Sequence, residues 1–236
     1  MLLFLLIPVL TIIVGGLAAI YLKPSQTIYS VILHFSAGVV FSVVSVELLP
    51  DIIKIHDPVR ISIGFGLGIF FMLTLMYFSG KMEDKASVNK SSVFPIGLLL
   101  AVCIDIAIDG LLLGIGFAAG RKEGILLSLA LATENLTLSL ATASSLGRQG
   151  IRANKVLSII IILAAIFFLF SMAGDALFHN LEDTSMEIIL SFGLAALLFL
   201  VTEELLVKAH AQKDNIWLTA PFFIGYLLFL ILGVTM

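Results

Sequence analysis

The amino-acid sequence predicts an all-α, polytopic integral membrane protein of eight transmembrane helices, and three observations lead there. Sixty per cent of its 236 residues are apolar and 12% are charged, a balance that no soluble domain of this length needs to fill one core. The apolar residues fall in runs of about 20, the length a helix needs to cross a hydrocarbon layer of about 30 Å. The breaks between runs are short and polar, so residues 1–236 read as a single transmembrane domain with little chain left for a soluble one.

The first run lies near residues 1–22. No basic residue precedes it, and it exceeds the apolar segment of about 7–15 residues in a signal peptide, so it is expected to be retained. The second, near 28–49, contains His34 and closes in Glu47-Leu48-Leu49-Pro50-Asp51; the third, near 60–79, carries Gly64, Gly66 and Gly68. Gly80 to Ser92 is expected to be the one sizeable polar loop, lysine-bearing and without histidine, and so a poor metal-collecting tail. The fourth and fifth runs, near 93–119 and 124–146, are joined by the short turn Gly120 to Gly124, which predicts an antiparallel helical hairpin. The sixth, near 155–177, leads through Asp175 into an expected solvated loop containing His179, Glu182, Asp183 and Glu187. The seventh, near 186–209, ends in Thr202-Glu203-Glu204-Leu205, and the eighth lies near 216–235. The glycines of runs three and four (Gly110, Gly114 and Gly116 in the latter) suit close helix approach.

Cytoplasmic loops retain Lys and Arg. With both termini outside, nine of the thirteen basic residues fall in inner loops, which favours that orientation. The net charge of -3 and the lack of like-charge runs point to no nucleic-acid partner, and a single cysteine, Cys103, allows no internal disulfide. A short chain with no targeting extension is expected in a cell-boundary membrane, such as a prokaryotic inner membrane.

Three carboxylates interrupt runs four and five. A charge near the bilayer centre costs about 2.5–3.5 kcal/mol on insertion scales, so such a residue marks function by default. Asp105 and Asp109 are four apart, on one helix face and about one turn from each other. Two anions that close coexist when one is protonated or when a cation lies between them, and a divalent ion with oxygen ligands meets that need. The other reading is a water-filled seam or a basic partner, although no Lys or Arg is expected inside the apolar runs. In run five, Glu134 and Asn135 adjoin the face shared by Thr133 and Thr137, and a metal held between the two helices of the hairpin would have these residues as ligands. The hydroxyls alone carry little weight, because they commonly bond back to their own helix. His34 reads either as a packing hydrogen-bond donor or as a pathway residue. Glu47, Glu203 and Glu204 read equally as interfacial acids or as an exit vestibule.

His34-Phe35-Ser36-Ala37-Gly38 followed by Glu47-Leu48-Leu49-Pro50-Asp51 resembles the second helix of the ZIP (Zrt-, Irt-like protein) family of divalent metal transporters. The resemblance spans nearly the whole chain and implies a ZIP-like eight-helix bundle, outside termini and a homodimer. The family's His-Asn-x-x-Asp/Glu-Gly motif aligns with Asp105 to Gly110, and its His-Glu-x-Pro-Glu-Gly motif aligns with Thr133 to Leu138. Asp109 and Glu134 match family ligands in kind, and Asp105 replaces a histidine. Ile106, Thr133, Leu136 and Thr137 depart from the usual Asn, His, Pro and acid, and run six lacks a mid-membrane acid. The remaining oxygen ligands suit Mn²⁺, Mg²⁺ or Ca²⁺ better than they suit zinc.

The expected function is therefore a non-enzymatic carrier of a divalent cation such as Mn, Fe, Zn or Mg, with no cofactor beyond the transported ion. Ions are expected to enter from outside and to leave past the acids of runs two and seven. The alternatives are a non-transporting scaffold or sensor of the same fold, and a carrier of protons or monovalent ions using the same carboxylates. An intramembrane aspartyl protease fits poorly, because its two aspartates converge from different helices and these share one.

Overall fold

The computed structural model describes residues 2–22, 24–55, 57–88, 96–178, 183–211 and 216–235. Every regular element among them is helical: α1 (Leu2–Tyr21), α2 (Gln26–Val43), a π-helical turn (Val44–Leu48), α3 (Leu49–Ile55), α4 (Pro58–Val88), α5 (Ile96–Ala119), α6 (Arg121–Arg148), α7 (Ala153–Phe178), α8 (Asp183–Phe199), a second π-helical turn (Leu200–Leu205), α9 (Leu206–Ala209), a 3₁₀ turn (Ile216–Leu218) and α10 (Ala220–Thr235). Among the described residues seven helical spans are long and apolar enough to cross a bilayer, and the eighth run forms the shorter α10. The protein is an all-α polytopic membrane protein. Large apolar side chains such as Leu10, Phe70 and Phe223 are exposed on the peripheral helices α1, α4 and α10, as a lipid-facing surface requires.

Small residues decide which helices touch. A Cβ at Gly15 of α1 would lie 2.4 Å from the Leu136 carbonyl oxygen of α6, and one at Gly114 of α5 would lie 2.6 Å from the Ser171 carbonyl oxygen of α7. In the same way Gly38 brings α2 onto α10 at Phe222, and Gly64 brings α4 onto α8 at Ile188. These four pairs, α1 with α6, α5 with α7, α2 with α10 and α4 with α8, make the framework of the bundle. Without side chains in the way, backbones approach within van der Waals contact, which is what holds helices together in lipid.

In the hairpin of α5 and α6, α6 is the most interior span of the bundle, followed by the span that contains α2, and α4 is the most peripheral. The hairpin's two helices are separated by Gly120 alone. At its far end α6 stops in a Schellman motif: Gly150, at φ 79°, takes the left-handed conformation, and the Ile151 N–H donates to the Leu146 carbonyl. The start of α6, with Lys122, and its end, with Arg148, mark the two faces of the bundle. At a rise of about 1.5 Å per residue they lie about 39 Å apart.

Several boundaries differ from the sequence reading. Run two does not stop before Pro50 but continues to Ile55. The preceding π turn, in which the Leu49 N–H donates to the Val44 carbonyl, widens the helix and makes room for a proline ring and its missing donor. Residues 80–88 are not loop but the end of α4, where Lys81 lies 4.3 Å from the Tyr77 ring one turn earlier. Glu187, expected in a solvated loop, belongs to α8 and pairs with Arg60 of α4 at 2.8 Å. Asp175 is half-buried at the α5–α7 contact, beside Gly114; His179 and Glu182 lie outside the described residues.

Candidate functional site

The hairpin brings its carboxylates to the middle of the bundle. Asp109 falls midway along α5 and Glu134 midway along α6, and they are 1% and 3% exposed. Asn135, fully buried, follows Glu134 on α6. The charges of Asp105, Glu204 and Lys208 all act on both Asp109 and Glu134, so the five form one cluster around the two central acids. Asp109 Oδ2, Glu134 Oε2 and both polar side-chain atoms of Asn135 are buried without a hydrogen-bond partner. Each such orphan costs about 1–3 kcal/mol, so a concentration of them at one depth marks a place built for something other than stability.

The hydroxyls beside them are engaged. Thr133 donates to the Ala130 carbonyl at 2.8 Å, and Thr137 donates to the Thr133 carbonyl at 2.9 Å while its oxygen lies 3.3 Å from Ser36 Oγ of α2. Thr137 therefore fixes α6 against α2, and Thr133 offers only lone pairs. Among the described residues no group of three or more His, Cys, Asp or Glu side chains is close enough to hold a metal ion by itself.

Asp105 and Asp109 share a helix face but not an environment. Asp105 is half-buried and lines a cavity of about 550 Å³, which extends to Pro24, Gln26 and Arg148 and so belongs to the Arg148 face. Glu203, Glu204 and Lys208 line the same cavity. A second void, of about 10 Å³, joins Glu134 and Thr137 to Tyr29, Glu204 and Lys208. It is at the lower limit of the space one water needs. Asp105 thus lies on a roomy cavity and Glu134 on a void of about one water's size, and Glu204 and Lys208 line both.

Lys208 corrects the expectation that no basic group reaches the acids. It lies at the end of run seven, in α9, and pairs with Glu204 one turn back. The Glu204-x-x-x-Lys208 spacing, acid first, is the i, i+4 signature that could have revealed it in the sequence. Glu47 requires a second correction. It does not share an exit with Glu203 and Glu204, because it lies at the opposite face, buried, with Lys122 Nζ 3.3 Å from its Oε1. The reason is topological: run two ends on the face where α6 begins, and run seven ends where α6 stops.

His34 is buried near the Arg148 face. Its Nδ1 lies 2.9 Å from the Ser30 carbonyl oxygen, and its ring meets that of His210 edge to face at 4.9 Å between centroids. His210 carried no signal in the sequence reading, since only the fold brings the end of run seven beside the start of run two. Compared with known proteins, the chain matches no family model and no curated sequence.

Proposed function

We propose that the protein is a membrane carrier that moves a divalent metal cation through the seam between α5 and α6. Its main support is the set of buried, unpartnered oxygens on Asp109, Glu134 and Asn135, with Asp109 one helical turn from Asp105 of the cavity lining. Acceptors without donors in mid-membrane are stabilised by a cation passing among them, and carboxylate and amide oxygens are ligands for hard ions. Because no three acidic or histidine side chains converge among the described residues, the ion keeps part of its water. That suits Mg²⁺ or Mn²⁺, which bind through one or two carboxylates and retain waters, better than it suits Zn²⁺.

On this reading Asp105 receives the ion in the vestibule, Asp109 and Glu134 hold it at mid-depth, and Asn135 and the Thr133 oxygen complete its shell. The excess of basic residues, nine of thirteen, in the segments expected on the inner side supports a cytoplasmic Arg148 face with both termini outside. The vestibule then opens to the cytoplasm, and the Glu47–Lys122 pair closes the outer side. The resemblance to the ZIP family agrees with this architecture and with the role of the hairpin. A proton-coupled or monovalent carrier is the second reading, favoured by Lys208, whose charge partly balances the acids of the cluster.

Uptake into liposomes by the purified protein tests the proposal. Mn²⁺ or Mg²⁺ flux that is abolished in the Asp105→Asn, Asp109→Asn variant is expected. Absence of flux for Mn²⁺, Fe²⁺, Zn²⁺, Co²⁺ and Mg²⁺ alike refutes metal transport, and proton or Na⁺ flux in its place selects the second reading.

A further inference from the structure

Two histidines outside the hairpin are arranged alike. His34 Nδ1 lies 2.9 Å from the carbonyl oxygen of Ser30, four residues back, and His210 Nδ1 lies 2.7 Å from that of Leu206, also four residues back. A carbonyl only accepts, so each Nδ1 carries the proton and each Nε2 carries a bare lone pair directed away from its own helix. His34 is 1% exposed, and its Nε2 is buried with no partner. His210 is exposed and stands against it. Donation of the second ring nitrogen to a backbone carbonyl is the arrangement by which metal-binding imidazoles are oriented and made more basic.

The spacing fits as well. Two imidazoles bound to one ion at about 2.0–2.1 Å, with an angle between square-planar and tetrahedral, have ring centroids about 4.5–5.2 Å apart. The rings here are 4.9 Å apart and inclined by 72°. Their backbones are already held together, because Ser30 Oγ of α2 donates to the Ala209 carbonyl of α9 at 3.0 Å.

We propose that His34 and His210 form a two-imidazole site for a transition-metal dication, Zn²⁺, Ni²⁺, Co²⁺ or Cu²⁺, at the Arg148 face. Nitrogen ligands select these ions over the harder ions suited to the hairpin. Exposed His210 provides access, and water fills the remaining positions. An ion bound there staples the start of run two to the end of run seven, beside the vestibule, and so makes this a regulatory position distinct from the transport seam. The site does not depend on whether the hairpin transports.

The test uses detergent-solubilised protein freed of any affinity tag. One equivalent of Cu²⁺ should give an electron paramagnetic resonance spectrum with the splitting of two imidazole nitrogens, and Ni²⁺ should raise the melting temperature in a concentration-dependent way. His210→Ala, at an exposed position, should lose the two-nitrogen pattern and most of the thermal shift. Asp105→Asn, Asp109→Asn should keep both. A one-nitrogen spectrum in the parent, or a shift that survives His210→Ala, overturns the site; a shift lost only in the aspartate variant overturns it too, by assigning the ion to the hairpin.

Discussion

The two π-helical turns are the same device set at opposite faces of the bundle. Val44-Ser45-Val46-Glu47-Leu48-Leu49 lines up with Val201-Thr202-Glu203-Glu204-Leu205-Leu206, and the hydroxyls at equivalent positions bond back alike: Ser45 to the Phe41 carbonyl at 2.7 Å and Thr202 to the Leu198 carbonyl at 3.0 Å. The helix partners correspond too, since α2 packs on α10 as α8 packs on α4, and α1 on α6 as α7 on α5. Such inverted correspondence is frequent in transporters, where one half rocks against the other. Yet Glu47 is sealed, with its carboxylate against Gly233 and Lys122, while Glu204 lines an open cavity. The difference lies in the source of the lysine. Lys122 comes from another helix and ties run two to α6, whereas Lys208 comes from the turn after Glu204, and its ion pair joins no second helix.

The largest effect is expected where the two ends meet. Neutralising Asp105 and Asp109 as asparagines should reduce cation uptake to the level of empty liposomes. The same change should leave the melting temperature equal or higher, because it removes two like charges one turn apart, one of them buried, without changing shape. A loss of flux accompanied by a large loss of stability would instead make the pair structural.

Next come the two lysines, which test the comparison directly. Lys122→Ala leaves the nearly buried Glu47 carboxylate unpaired and should cost about 1–3 kcal/mol, below the usual loss for a buried pair because Lys122 is itself 39% exposed. Lys208→Ala removes a helical pair whose lysine is 45% exposed, and should cost about 0.5 kcal/mol or less. Thermal unfolding in detergent measures both. In a Cys103→Ser background, Ser145→Cys, half-buried in the cavity lining, should react with a water-soluble thiol reagent in either case. Val46→Cys, beside the seal, should become reactive only with Lys122→Ala; equal reactivity in both lysine variants would remove the distinction between a closed and an open end.

The spans were legible in the sequence because lipid imposes one length and one composition on each of them. The central acids were legible for the complementary reason, since Asp105, Asp109 and Glu134 violate that composition. What escaped depends on contacts between distant segments. Glu47 and Glu204 look alike along the chain, and only the position of Lys122 in space separates a closed end from an open one. Pro50 suggests a helix end until the π turn before it absorbs the strain, and Glu187 looks like loop until Arg60 is found opposite. His210 acquires meaning only beside His34.

The smallest effect examines the packing that the two halves share. Gly64, Gly66 and Gly68 alternate along α4, and the sequence treats them as one motif for close approach, but a helix turns by about 100° per residue and cannot present all three to one partner. A Cβ at Gly64 would lie 2.2 Å from the Ile188 carbonyl oxygen, and one at Gly68 would lie 2.7 Å from that of Phe192, whereas one at Gly66 meets nothing within 4 Å. Gly64→Ala should therefore push α4 from α8 and cost about 1–3 kcal/mol. Gly66→Ala adds a methyl to open space and removes backbone freedom from the unfolded chain, so it should stabilise by about 0.5–1 kcal/mol. Melting temperatures moving in opposite directions for two alanines two residues apart would establish which face of α4 meets α8. Gly38 of α2 should then behave as Gly64 does, because its Cβ would collide with the Phe222 carbonyl of α10 at the equivalent contact in the other half.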